Sequence, residues 1–181
     1  MQSLQTLACN ARELRGCSLT ASHDSCIQSV FKKFELKNNF NFFVTANHNQ
    51  TQASCAMMPE SDSAEIIITS RMIELLNINE LSYVLGHEIS HHYYQHNIYP
   101  SPNQAKSKME LLKLLHLSRA SEISADRAGF LGSGDIENSL KAMLKIASGL
   151  SEKHLTFNFS SYLDQLRELK QIKGDQNQMY S

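Results

Sequence analysis

Residues 79–91 read Asn-Glu-Leu-Ser-Tyr-Val-Leu-Gly-His-Glu-Ile-Ser-His, and their reading decides the fold. Leu81, Val84, Leu85 and Ile89 recur at helical spacing, so the segment predicts a helix that buries one face. Its end, His87-Glu88-Ile89-Ser90-His91, is an HExxH pattern. On a helix, residues four apart lie one turn along and about 40° around. Both imidazoles therefore point the same way and can grip one metal ion. Glu88, the next residue round from His87, can lean over the ion's open position and take a proton from water. The competing reading is a solvated polar face, and the apolar residues around the motif oppose it.

Working outward, Asn79 can cap this helix, which is expected to run to about Tyr99, where Pro100 and Pro102 stop it. Upstream, Ala64–Ser70 (AEIIITS) is β-branched and apolar and predicts a strand. Phe40–Thr45 alternates in period two, and Ala53–Met58 predicts a third strand, joined to AEIIITS by a turn at Pro59-Glu-Ser-Asp-Ser. Residues 3–15 and 24–37 are helical in spacing, with Asp24 as a possible N-cap. Downstream, helices are expected over Gln104–Phe130, Asp135–Ser148 (ended by Gly149) and Ser160–Lys173 (ended by Gly174). The fold class is α+β, mainly helical: about three strands packed on the HExxH helix and on a second long helix.

A catalytic zinc takes three protein ligands and keeps a fourth position open. The extended pattern HExxHxxGxxH fails, because Tyr94 holds the glycine's place and Asn97 the third histidine's. His96 lies about 180° round an unbroken helix from His87 and cannot join the same metal without a helix break. His92 is also off the ligand face. Both read as polar or supporting residues. The better candidate is Glu122 in Ser121-Glu-Ile-Ser-Ala-Asp126 on the next long helix. Asp126, four residues on, shares its face and can accept a ligand histidine's N–H. Ala125, Ala128 and Gly129 are small enough for close helix packing. Arg119 and Arg127 are the ordinary partners for such an acid pair.

The 181 residues suit one domain with an appendage. With 17 Lys+Arg against 18 Asp+Glu, the formal charge of −1 argues against a phosphate-backbone binder, so no nucleic-acid partner is expected. The longest run without Asp, Glu, Lys or Arg, Asn38–Pro59, is full of Asn, Gln, Thr and Ser, so no integral membrane span is expected. The first residues show no signal peptide, and the chain as given reads as cytoplasmic, or as periplasmic or membrane-associated if truncated. Cys9, Cys17, Cys26 and Cys55 then read as reduced thiols. A zinc knot of Cys9, Cys17, His23 and Cys26 is a weaker alternative, since it lacks a CxxC pair.

His87-Glu88-Ile-Ser-His91 followed by Glu122-Ile-Ser-Ala-Asp126 resembles the zinc peptidases of the CAAX prenyl protease/HtpX type, gluzincins with an HExxH helix and a downstream ExxxD helix. The strand AEIIITS leading into NELSYVLGHEISH, and SRASEISADRAG followed by KAMLKIASGL, extend the resemblance over roughly residues 38–150. It implies a zincin-like catalytic domain, placed over 38–173; by their own residues, 1–37 read as an N-terminal helical segment (lid, pro-segment or docking arm) and 174–181 as a flexible tail. It implies one Zn²⁺ per chain held by His87, His91 and Glu122, Glu88 as general base and acid, and Asp126 behind a ligand. The family's membrane-spanning helices, its Asn-Ala edge strand (here Gln52-Ala53-Ser54-Cys55-Ala56) and its later His-Pro segment are absent.

The leading expectation is a zinc-dependent endopeptidase that takes a protein or peptide substrate as an extended strand along the edge near Ser54–Met58. One alternative is a latent or pseudo-peptidase whose zinc is plugged by Cys55, His48 or His154. His154 could instead help stabilise an oxyanion, though a plain surface histidine is the ordinary reading. The other alternative is a non-enzymatic helical binding module using Met109, Leu112 and Leu115, a stripe that is ordinarily core.

Overall fold

The computed structural model describes residues 21–35, 40–47, 49–57 and 64–179. The expected helix 3–15, the turn after Met58, and Cys9, Cys17 and His48 lie outside them. Helix α1 (Ala21–Lys33) is followed by strands β1 (Phe40–Thr45), β2 (Ala53–Met57) and β3 (Ala64–Thr69), then α2 (Ser70–Leu75), α3 (Ile78–Tyr93), α4 (Lys108–Ser133), α5 (Ile136–Ser148) and α6 (Phe159–Met179). Short 3-10 turns at His96–Ile98 and Pro102–Gln104 lie between α3 and α4.

The β-branched strand takes the centre of the sheet, in the order β1-β3-β2. β1 runs parallel to β3, with Phe42 opposite Ile66, and β2 runs antiparallel, with Cys55 opposite Ile66. β2 is therefore an edge strand among the described residues, and it lies against α3. Ile66 and Ile68 pack with Val30 and Phe31 of α1, Met72 and Leu75 of α2, Leu81, Val84, Leu85 and Ile89 of α3, and Ala142 of α5. The period-3.6 stripe read from the sequence is thus the core face of α3, with Leu85 and Ile89 fully buried.

Asn77, not Asn79, caps α3. Its side chain accepts from the Asn79 and Glu80 N–H groups, while Glu80 Oε2 accepts from the Asn77 N–H at 2.8 Å. This capping box satisfies donors that open the helix. Glu80 is fully buried and paired with Lys145 of α5, whose Nζ lies 2.8 Å from Oε1.

α3 also stops earlier than expected, at Tyr93 rather than about Tyr99. Beyond His91 the helix has no core to cover, and Tyr93 and Tyr94 stay exposed. Gln95 turns the chain with φ 55° and ψ 38°, a left-handed conformation that non-glycine residues rarely adopt. The prolines come after this break; Pro102 opens the second 3-10 turn, capped by Ser101.

α4 begins at Lys108, not Gln104, and Gly132 belongs to it; Gly134, at φ 70°, ends it. α5 starts at Ile136, one residue after the expected Asp135, which caps it instead; Gly149 ends it, as expected. Gly174 does not end the last helix, which runs to Met179. Asp24 does not start α1, which begins three residues earlier at Ala21. Met109, Leu112 and Leu115 face outward rather than into the core, and Leu114 alone of that turn is buried.

Candidate metal centre

α3 and α4 run antiparallel in close contact, and glycines set how close. A Cβ added to Gly86 would meet Ala128 O at 2.9 Å and the Gly129 and Gly132 Cα atoms at 3.2 Å. A Cβ on Gly132 would meet Ser82 O at 2.9 Å. These contacts are with backbone, so no side chain can swing away. The seam brings the Glu122–Asp126 face of α4 up to the histidines of α3.

Four residues meet there. His87 Nε2 lies 3.4 Å from Glu122 Oε2, and His91 Nε2 lies 3.9 Å from Glu122 Oε1. The two Nε2 atoms are 3.2 Å apart. Among the described residues, this trio is the group of His, Cys, Asp and Glu side chains close enough to hold a metal ion, with all ligand atoms within 4.8 Å of one another. Both imidazoles are mostly covered (18% and 15% exposed), whereas Glu122 is 57% exposed, so the cluster is reached from the Glu122 side.

Asp126 stands behind the trio. Its Oδ1 lies 3.1 Å from His87 Nδ1 and accepts from the Tyr83 hydroxyl at 2.7 Å. A carboxylate can only accept, so His87 carries its proton on Nδ1 and presents a bare Nε2 to the cluster. Burial, together with the Asp126 carboxylate, holds the Tyr83 hydroxyl well above its ordinary pKa, as a donor. Glu122 and Asp126 thus reach histidines, not Arg119 or Arg127. Tyr83 is a site residue that the sequence reading missed, although its place four residues before His87 puts it on the same helix face.

His91 has a different support. Its Nδ1 lies 3.1 Å from Nδ1 of His96, whose Nε2 lies 2.8 Å from Ser124 Oγ on α4. The break at Gln95 makes this contact, by folding the chain back toward α4. Burial holds both His91 and His96 below the ordinary imidazole pKa, with the neighbouring His87 adding to the effect and Glu122 opposing it.

Glu88 sits beside the cluster, turned toward β2. Burial pushes its carboxyl up to about 7; His87 opposes the rise, Glu122 adds to it, and a hydrogen bond from the Cys55 backbone opposes it. Cys55 is not one of the converging groups. Burial, then the charge of Glu88, push its thiol up to about 12, against a backbone hydrogen bond from His92. His154 is exposed in the turn after α5 and is also outside the cluster. The weaker alternative, a zinc knot, is not supported at its described end: Cys26 is buried, its Sγ 3.1 Å from Ser82 Oγ and 3.4 Å from Ile78 O.

The model of Peptidase family M48 matches residues 18–111, just over half of the 181-residue chain. The chain belongs to peptidase family M48. Its matched part holds the sheet and the HExxH helix, while Glu122 and Asp126 lie beyond it, so it is the helix packing that brings them to this M48 site. The plastoglobule-localized metallopeptidase 48 of Arabidopsis thaliana is 27% identical over 116 residues, covering 56% of this chain. This M48 chain spans about a third (34%) of that relative's length. No helix among its described residues is long and apolar enough to cross a membrane.

Proposed function

We propose that this chain is a zinc-dependent endopeptidase of the CAAX prenyl protease/HtpX type, with His87, His91 and Glu122 as zinc ligands and Glu88 as general base. The observation that carries the reading is the spacing of the three ligand atoms. Two nitrogens bound at 2.0–2.1 Å to a tetrahedral zinc stand roughly 3.3–3.4 Å apart. The 3.2 Å between the two nitrogens and the 3.4 Å from His87 to Glu122 Oε2 fit that size; His91 stands 3.9 Å from the other carboxylate oxygen, so a small turn of the exposed Glu122 brings one oxygen to both. The donor set, two imidazoles and a carboxylate, suits zinc.

Zinc held there supplies Lewis acidity toward water and the scissile carbonyl. The rest is done by the chain. Glu88 takes the water's proton on its carboxylate and returns it to the leaving amine. Burial, which raises its carboxyl to about 7 in the metal-free chain, favours uptake of that proton. Asp126 holds the His87 ring through Nδ1. β2, an edge strand lying against α3, offers its backbone to an extended peptide substrate.

The test pairs metal content with turnover of an unfolded protein substrate. Glu88→Gln is expected to retain one zinc per chain and lose cleavage by at least about a hundredfold. His91→Ala and Glu122→Ala are expected to lose zinc itself. A zinc-replete Glu88→Gln protein that still cleaves would sink the mechanism.

A further inference from the structure

The two histidines of the cluster are backed by different chemistry, and the difference reads out as a chain of protons. Ser124 Oγ donates to the Ser121 carbonyl at 3.0 Å, which uses its only proton. The same oxygen lies 2.8 Å from His96 Nε2, and with its proton on the Ser121 carbonyl it accepts from Nε2. A neutral imidazole protonated at Nε2 has a bare Nδ1. That bare Nδ1 faces His91 Nδ1 at 3.1 Å, so the proton between them belongs to His91. His91 then turns a bare Nε2 toward the bare Nε2 of His87, 3.2 Å away; two facing lone pairs repel unless a cation takes both, so this arrangement of protons belongs to the metal-loaded site.

From this chain, and resting on the zinc reading above, we propose that His96 is a positioning residue for the metal site. It accepts the Nδ1–H of His91, fixes that ring's tautomer and orientation, and does for His91 what Asp126 does for His87. The two supports differ in charge. Asp126 is an anion, and His96 is a neutral acceptor held in place by a serine. The local fold is built for it: the left-handed Gln95 carries His96 out of the helical path, on which it would face away from the ligands. The rings of His91 and His96 then meet edge to face, with centroids 5.0 Å apart and planes at 79°.

The experiment measures zinc affinity by competition with a chromogenic chelator at pH 8, on the full chain. Wild type, His96→Leu and His96→Asn are compared, with circular dichroism to confirm folding. Removing a group that backs a metal-binding histidine typically weakens affinity about ten- to a hundredfold, and that loss is expected for His96→Leu. His96→Asn, whose side-chain oxygen can still accept from His91 Nδ1–H, is expected to recover most of it. A His96→Leu protein that binds zinc as tightly as wild type overturns the proposal. So does an Asn variant as weak as the Leu variant, because packing alone would then explain the loss.

A second measurement stands apart from the folding of any variant. Nitrogen-15 NMR of the histidine rings in zinc-loaded wild type reads the tautomers directly. Protonation of His91 at Nδ1 and of His96 at Nε2 supports the proposal; the opposite pair overturns it. A wild type that binds no zinc would defeat the zinc reading itself, whereas a wild type that binds zinc with the opposite tautomers would defeat only the role of His96, so the two failures are distinguishable.

Discussion

At the scale of single residues, the site works by placing protons. Tyr83 and His87 both donate to Asp126 Oδ1, and Glu88 is raised toward neutrality by burial. The same burial has an effect on Cys55. Its thiol is pushed from 9 to about 12 by burial and by Glu88, so the thiolate fraction at pH 8 falls about a thousandfold below that of a free thiol. Alkylation of the metal-free protein by iodoacetamide, followed by peptide mapping, is expected to modify Cys55 correspondingly slowly. The rate should rise with pH. It should also rise in Glu88→Gln, where a like charge is removed. Rapid labelling of wild-type Cys55 at pH 8 would contradict the burial argument. Cys55 lies outside the converging group, which gives no support to the plugged, latent site. HExxH is legible at this scale because i and i+4 on a helix always share a face. Tyr83 is legible in principle by the same rule. Ser124 is not, because nothing local to it points to His96.

At the scale of elements, the approach of α3 to α4 is the deciding feature. Gly86 meets only backbone across the seam, so Gly86→Ala must push the helices apart. The expected cost is about 1–3 kcal/mol of stability, read from denaturant unfolding. Metal affinity should fall with it, since Glu122 and the histidines ride on opposite sides of the seam. Unchanged stability and unchanged affinity together would show that the seam can relax. The small residues Ala125, Ala128 and Gly129 point to close packing from sequence alone. The end of α3 is harder to read, because Pro100 and Pro102 are strong stop signals and draw the boundary too far along. The break at Gln95 follows instead from the lack of any core beyond His91. Without that break His96 faces away from the ligands, so its role is hidden wherever the helix is read as continuous.

At the scale of the whole molecule, long-range ties hold the layers in register. Lys33 Nζ donates to Gly132 O at 2.6 Å, and Arg71 donates to Gly149 O at 2.8 Å. The strongest such tie is Glu80–Lys145, buried at both ends, where Glu80 also caps α3. Lys145→Ala leaves that carboxylate buried without its partner and is expected to lower stability by about 3–5 kcal/mol. The double change Glu80→Gln with Lys145→Met removes both charges and should recover much of the loss, as chemical denaturation would show. Equal losses in the single and double variants would mean that an unpaired buried charge does not set the cost.

The sequence by itself determined the elements whose cause is local. Ala64–Thr69 is a strand because β-branched residues fill it, and α3 presents two histidines together because the helical period requires it. Glu122 and Asp126 share a face for the same reason. Which acid meets which imidazole is set elsewhere, by backbone contact at Gly86 and Gly132 and by the antiparallel course of α4. The place of His96 depends on one left-handed residue and on a serine from another helix. Those were decided only by the tertiary structure, because the groups involved come together through packing across the chain and not through spacing along it.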